Sequence, residues 1–396
     1  MSFPTSVISD QKYRQIGVDA GGRQRVSQIT TLGDFKIVGV DRTLMIDTVG
    51  DGEGSFSNNK YVMSAPNGKY FIRHSHRYAP YFSGKSQIVE CTFDTFQAES
   101  GVVKRVGYFS SNAVAPYNST LDGFWLESSG GKIYLKASRN GTETLSVEAA
   151  GWNVNYPHNY DWSMFTTVLF DFLWLGGAVL RMWIKTDSGF ILCHEFNYAG
   201  TSQDTFIKSP SQTVRYEVRG SSGDGTLRYI CAQVGTEGSV GEAGSSRSVD
   251  TGASAISMAA IGTRYPLKGI RKQSSLRDVG VQVTDLSVFA SSPNDLYRWE
   301  LCLNPTLSSG LTYANVANSA IQEAKGNGTI TASAPGTVIA SGYLTADLPV
   351  PNGILENNYL SYLGSTIADV MDEMVLIVTP ITANLSMFGG LLVKEY

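Results

Sequence analysis

The sequence predicts an all-β protein with an antiparallel β-sandwich body of jelly-roll type, a second β-rich domain and an extended N-terminal arm. Two observations carry this. From Tyr61 onward, runs of four to nine residues rich in Val, Ile, Phe, Tyr and Trp alternate with short Gly, Asn, Asp and Ser segments, which is the pattern of strands joined by tight turns. Charged residues make up only 17% of the chain, below the roughly 25% of average soluble proteins, while Gly supplies 41 of 396 residues. Low charge with 6 Trp, 20 Tyr and 17 Phe suits sheets, turns and broad contact surfaces. At this length the chain exceeds the roughly 100–200 residues of one domain, so two are expected.

Taken in order, residues 1–55 are polar, Gly-dotted and weakly periodic and end in the cluster Gly50-Asp51-Gly52-Glu53-Gly54. They read as an arm that packs on something else, its first 30 or so residues docking on a partner with Arg23 and Arg25 as candidate docking cations. Residues 56–234 are the sandwich. Its clearest block runs from Thr167 to Asn197 as three strands, with Gly176-Gly177 suited to a two-residue primed turn. That turn would set Phe172, Arg181 and His194 side by side on one face, with Phe170, Trp174, Trp183 and Phe196 around them. Leu169, Leu173, Leu180, Met182 and Cys193 would then occupy the other face, so both faces need covering. A cation among aromatic rings reads as a paired core arginine, an aromatic sugar platform or an anchor between subunits. Val214, Tyr216 and Val218 alternate with Arg215, Glu217 and Arg219, so one side of that strand should meet solvent or a polar neighbour. Residues 235–262 are Gly- and Ser-rich and read as a long loop or linker. Residues 263–396 form the second β-rich domain, with short helices expected at 314–324 and 366–373.

Several function classes lack support. A net charge of −4 without a basic run gives no reason to expect nucleic-acid or membrane affinity. The N-terminal residues lack a signal-peptide pattern and no stretch approaches the roughly 20 apolar residues of a span, so production and assembly in the cytoplasm are expected. Cys91, Cys193, Cys231 and Cys302 form no CxxC pair and read as buried thiols. Gly84-Lys85-Ser86 resembles the end of a phosphate-binding loop, but Pro80, Tyr81 and Phe82 would block the backbone approach to phosphate. Glu90 with Asp94, and Asp171 with Glu195, fall about 12–13 Å apart on the expected register, beyond glycosidase spacing. His74 and His76 share a strand face without an identifiable third metal ligand, and Asp47, Asp51 and Glu53 lack the spacing of a calcium loop. No enzyme activity, catalytic residue, cofactor or metal is therefore expected.

Colinear segments carry a resemblance: Gly22–Ser27, Tyr81–Gln87, Arg105–Phe109, Asp171–Gly177, Cys193–Phe196, Val214–Val218 and Trp299–Pro305. Together they resemble a group of uncharacterised virion structural proteins of tailed phages, over roughly residues 21–310. The resemblance implies a β-sandwich body, a place in the virion, and other virion proteins as partners, whether major capsid, portal, neck or tail. The resemblance carries no catalytic residue, and a homo-oligomer is expected. The contrasting reading is a carbohydrate-binding or glycan-degrading β-sandwich displayed on the particle.

Overall fold

The computed structural model describes residues 28–36, 45–111, 117, 120–157, 159–174, 179–238, 244–290, 296–345, 355, 361–383 and 386–396, with backbone only over 46–49. It is all-β and antiparallel, and it divides between Glu242 and Ala243 into two compact units.

The first unit is a sandwich. One sheet runs in the order Gly189–Asn197, Val179–Thr186, Thr166–Leu173, Gln87–Asp94, Gly225–Glu237, Lys60–Ala65 and Glu53–Ser57, and Ile29–Lys36 also pairs with Gly225–Glu237. The facing sheet runs Thr142–Glu148, Lys132–Arg139, Leu121–Ser129, Val102–Ser111, Val214–Gly220, Tyr70–Ser75 and Met45–Gly50. Alternate residues of each strand meet between the sheets. Phe172 lies 5.7 Å from Tyr108 and Phe170 lies 5.3 Å from Phe124, while Tyr216 and Tyr229 stand 4.4 Å apart, measured between ring centres. All six are at most 1% exposed, and full burial of each contributes about 1.5–3 kcal/mol.

The expectation of an extended arm over residues 1–55 is corrected for its second half. Residues 1–27, with Arg23 and Arg25, lie outside the described residues, but Ile29–Lys36, Met45–Gly50 and Glu53–Ser57 are strands of the sandwich. Phe35 is buried, and its carbonyl accepts the Tyr229 hydroxyl at 2.5 Å. These strands escape a periodicity reading because one short apolar contact plus backbone pairing suffices to hold an edge strand.

The three-strand block exists, but its register differs by one residue. Leu173 pairs with Val179, Phe172 with Leu180 and Asp171 with Arg181, so residues 174–178 separate the paired ends where a two-residue turn was expected. Gly176-Gly177 itself lies outside the described residues. Because side chains alternate with period two, this single step moves Arg181 to the face opposite Phe172.

The second unit is also two facing sheets. Ser245–Asp250, Ser386–Glu395, Ile256–Ser257 and Val281–Ala290 form one. Ala314–Asn315, Ile321–Lys325, Tyr265–Lys272, Glu373–Pro380, Leu296–Leu303 and Thr337–Thr345 form the other. Val249, Leu391 and Val393 from the first pack with Leu267, Trp299 and Leu376 from the second in one core. The far side of the larger sheet is covered too, by Leu311 and Ile330 over Val375 and Ile377. Two expectations are corrected here. The Gly/Ser-rich segment 235–262 is not a simple linker, because Ser245–Asp250 and Ile256–Ser257 add to the C-terminal strand. No helix forms at 314–324 or 366–373, since backbone partners on neighbouring strands hold residues 321–325, while Ser365 and Met371 bridge across the turn between them.

Candidate functional site

In the first unit the outward-facing residues of the seven-stranded sheet hold its densest charge. Val102–Ser111 lies between Leu121–Ser129 and Val214–Gly220, and the register sets Arg105 opposite both Glu127 and Glu217. One row further along, Gly107 lies opposite Trp125 and Arg215. Gly107 leaves the room these need, since a Cβ there would come within 2.6 Å of the Trp125 Cα.

Arg105 is the hub. Its Nε donates to Glu127 Oε2 at 2.9 Å and its Nη1 to Glu217 Oε2 at 3.0 Å. Arg215 donates to the other Glu217 oxygen, 2.6 Å from Nε and 2.5 Å from Nη2. Glu127 also receives Lys136 Nζ at 3.0 Å, Ser129 Oγ at 2.9 Å and the Trp125 indole N–H at 3.3 Å. Arg215 and Glu217 are at most 1% exposed although they point away from the sandwich core. The Tyr117 ring stacks on Tyr70 at 5.3 Å and takes the Arg105 and Arg219 guanidiniums on its faces at 5.0 and 5.2 Å.

Burial works against the Glu127 charge, but Arg105 and Lys136 outweigh it and hold the carboxyl at about 2. Burial pushes the Tyr117 phenol well up. A glycosidase acid must carry its proton near neutrality, which takes a raised carboxyl. Glu127 is shifted the opposite way. The chemistry this arrangement performs is structural: it keeps five charged groups paired and three strands in register.

The residues singled out from sequence are distributed differently. Phe172 and His194 lie on the inner face, at 0% and 5% exposed. Arg181 and Trp183 lie on the outer face, so the expected cluster of Phe172, Arg181, His194 and Trp183 does not form. Arg181 donates to Glu195 Oε2 at 2.8 Å, and Asp171 and Glu195 flank it in one row. His194 Nδ1 accepts the Asn153 backbone N–H at 3.2 Å, and burial lowers its pKa. Asp94 binds Lys60 and Arg228, each at 2.5 Å, while Ser86 of the GKS triplet donates to Asp171 at 2.5 Å. His74 is buried on the charged sheet face beside Arg215, and Asp51 is exposed and paired with Lys69. The Arg105 network was missed because its members are 22 and 112 residues apart. The one local signal, alternating charge at Arg215, Glu217 and Arg219, pointed to this face without naming its partners.

A second feature is apolar and lies in the second unit. On the outer side of its smaller sheet Phe289 pairs with Phe388, their rings 6.4 Å apart. Phe289 is 57% exposed and Leu392, on the same face, 38%. Ser287, Gly390 and Ser248 complete a flat surface around them.

No family model and no curated protein matches the chain. Among solved structures, the Emp47p carbohydrate recognition domain aligns at 12% identity, over 56% of this chain and 100% of its own, with a TM-score of 0.35. The VIP36 exoplasmic/lumenal domain aligns at 10%, over 52% and 89%, with a TM-score of 0.33. An endo-beta-1,4-glucuronan lyase from the fungus Trichoderma reesei aligns at 13%, over 52% and 95%, with a TM-score of 0.34. At these values the likenesses bear on neither ligand nor activity.

Proposed function

We propose that this chain is a non-enzymatic structural component of a virus particle of the tailed-phage type, working by contact with other particle proteins. The observation that carries the reading is the flat apolar surface of Phe289, Phe388 and Leu392. Such side chains on a sheet face cost solubility in a free monomer and gain by being covered in an assembly. The colinear resemblance to virion proteins supports the particle as the place of assembly. The paired state of Arg105, Glu127 and Glu217 supports the non-enzymatic half, since charges already committed to one another are poor catalysts.

The test is incorporation. Particles purified through a density gradient should contain the chain by mass spectrometry. Phe289→Arg should leave its melting midpoint unchanged and remove it from particles. The proposal fails if the wild-type chain is absent from purified particles, or if the Phe289→Arg chain is incorporated at the wild-type level.

A further inference from the structure

We infer that the first unit carries a binding site for a neutral saccharide, a role beyond particle assembly. The site is a cleft of about 420 Å³ beside the connection between Glu148 and Thr166. Tyr156, Tyr160 and Trp162 line it. That is within the range of about 300–1,000 Å³ typical of small-molecule sites.

The aromatic wall is preformed. Tyr160 and Trp162 meet edge to face at 5.0 Å, and Trp152 packs edge-on against both Trp162 at 6.3 Å and Tyr156 at 5.9 Å. The backbone is tied on both sides: Phe96 N–H donates to the Trp162 carbonyl at 2.8 Å, and Val154 and Asn155 donate to the Cys193 carbonyl at 3.2 and 3.1 Å. The Tyr160 hydroxyl donates to the Lys185 carbonyl at 3.3 Å. A ligand therefore meets fixed rings and spends little entropy ordering them.

The polar groups select for neutral hydroxyls. Lys132 and Glu148 line the cleft but neutralise each other at 2.7 Å. The Asp161 Oδ1 accepts both the backbone N–H and the hydroxyl of Ser163, at 2.9 and 2.6 Å, which fixes the carboxylate and leaves Oδ2 as an acceptor. Gln97 also lines the cleft, its amide nitrogen donating to Glu99 at 2.5 Å. Aromatic rings beside the Asp161 Oδ2 acceptor match a sugar ring, whose C–H faces stack and whose hydroxyls donate hydrogen bonds. An anion would face the Asp161 carboxylate, and a purely apolar ligand would leave its Oδ2 desolvated without a donor.

The experiment is saturation-transfer NMR on the full chain with N-acetylglucosamine, chitobiose, maltose and lactose, with tryptophan fluorescence titration as a second readout. At least one sugar should give a saturable signal. Asp161→Asn, an isosteric change at an exposed side chain, and Tyr160→Ala should each weaken it about tenfold or more with an unchanged melting midpoint. Should Tyr160→Ala unfold, Asp161→Asn alone decides. No saturable signal from any of the four sugars, or a signal that Asp161→Asn leaves intact, overturns the inference. Either result is independent of whether the chain enters particles.

Discussion

Replacing Glu127 by Gln keeps the side-chain shape and removes one charge from the Arg105 network. The carboxyl is held at about 2 against an ordinary value of 4.5, and its side chain is 7% exposed, so solvent screening is small. A difference of about 2.5 units at 1.36 kcal/mol each corresponds to about 3 kcal/mol of stability near pH 7. Because the folded value is depressed, this contribution is complete above the unfolded value and is lost as pH falls toward the folded one. By about pH 3 less than half of it should remain. Urea unfolding of wild type and variant, followed by tryptophan fluorescence because Trp125 touches the carboxylate, measures the difference at each pH. The gap between the two proteins should shrink by more than half between about pH 7 and pH 3. A gap that stays constant, or a variant as stable as wild type near neutrality, would refute the claim that Arg105 and Lys136 stabilise this charge.

Three further outcomes are expected. Cys231 is half-buried while Cys91, Cys193 and Cys302 are buried with thiols pushed up to about 12. An alkylating reagent near pH 8 should therefore add one label quickly, at Cys231 by peptide mapping, and the other three only on unfolding. Gly123 sits at φ +124° with a Cβ position 2.3 Å from the Tyr108 carbonyl, so Gly123→Ala should lower stability by about 3 kcal/mol or more. Gly130→Ala, at φ +58° with open space around it, should cost only about 1 kcal/mol in the same urea assay. Tyr229→Phe removes the bond to the Phe35 carbonyl and should cost about 1–2 kcal/mol, measurable as an earlier urea midpoint.

The fold class was legible because it rests on local facts. Runs such as TVLFDFL and AVLRMWIK can bury enough surface only as strands, and Gly-rich breaks between them leave no room for helices. Register was not legible, because it depended on a loop. Gly176-Gly177 suits a two-residue primed turn, yet the pairing of Leu173 with Val179 places five residues between the strand ends. The faces of the middle strand then inverted, separating Arg181 and Trp183 from Phe172, while Phe172 and His194 still share the inner face. The aromatic cleft was hidden for another reason. Trp152, Tyr156, Tyr160 and Trp162 fall in a segment with neither strand nor helix period, and only the strands on either side, through Phe96 and Cys193, give it a shape.

The charged face also explains how the seven-stranded sheet keeps its own register. Val214–Gly220 alternates Val, Tyr and Val with Arg, Glu and Arg, so a slip of one residue would carry Arg215 and Glu217 into the space now filled by Tyr216 and Val218. A slip of two would keep the faces but break the bond between Arg105 and Glu217, leaving Arg105 with Glu127 alone and Glu217 with Arg215 alone. Arg105 makes the constraint two-sided, since it is bonded to Leu121–Ser129 through Glu127 and to Val214–Gly220 through Glu217. An apolar outer face could be as stable, but it would tolerate slips that this one does not. Burying paired charges on the outside of a sheet thus specifies one arrangement of three strands that are separated by up to 112 residues in the chain.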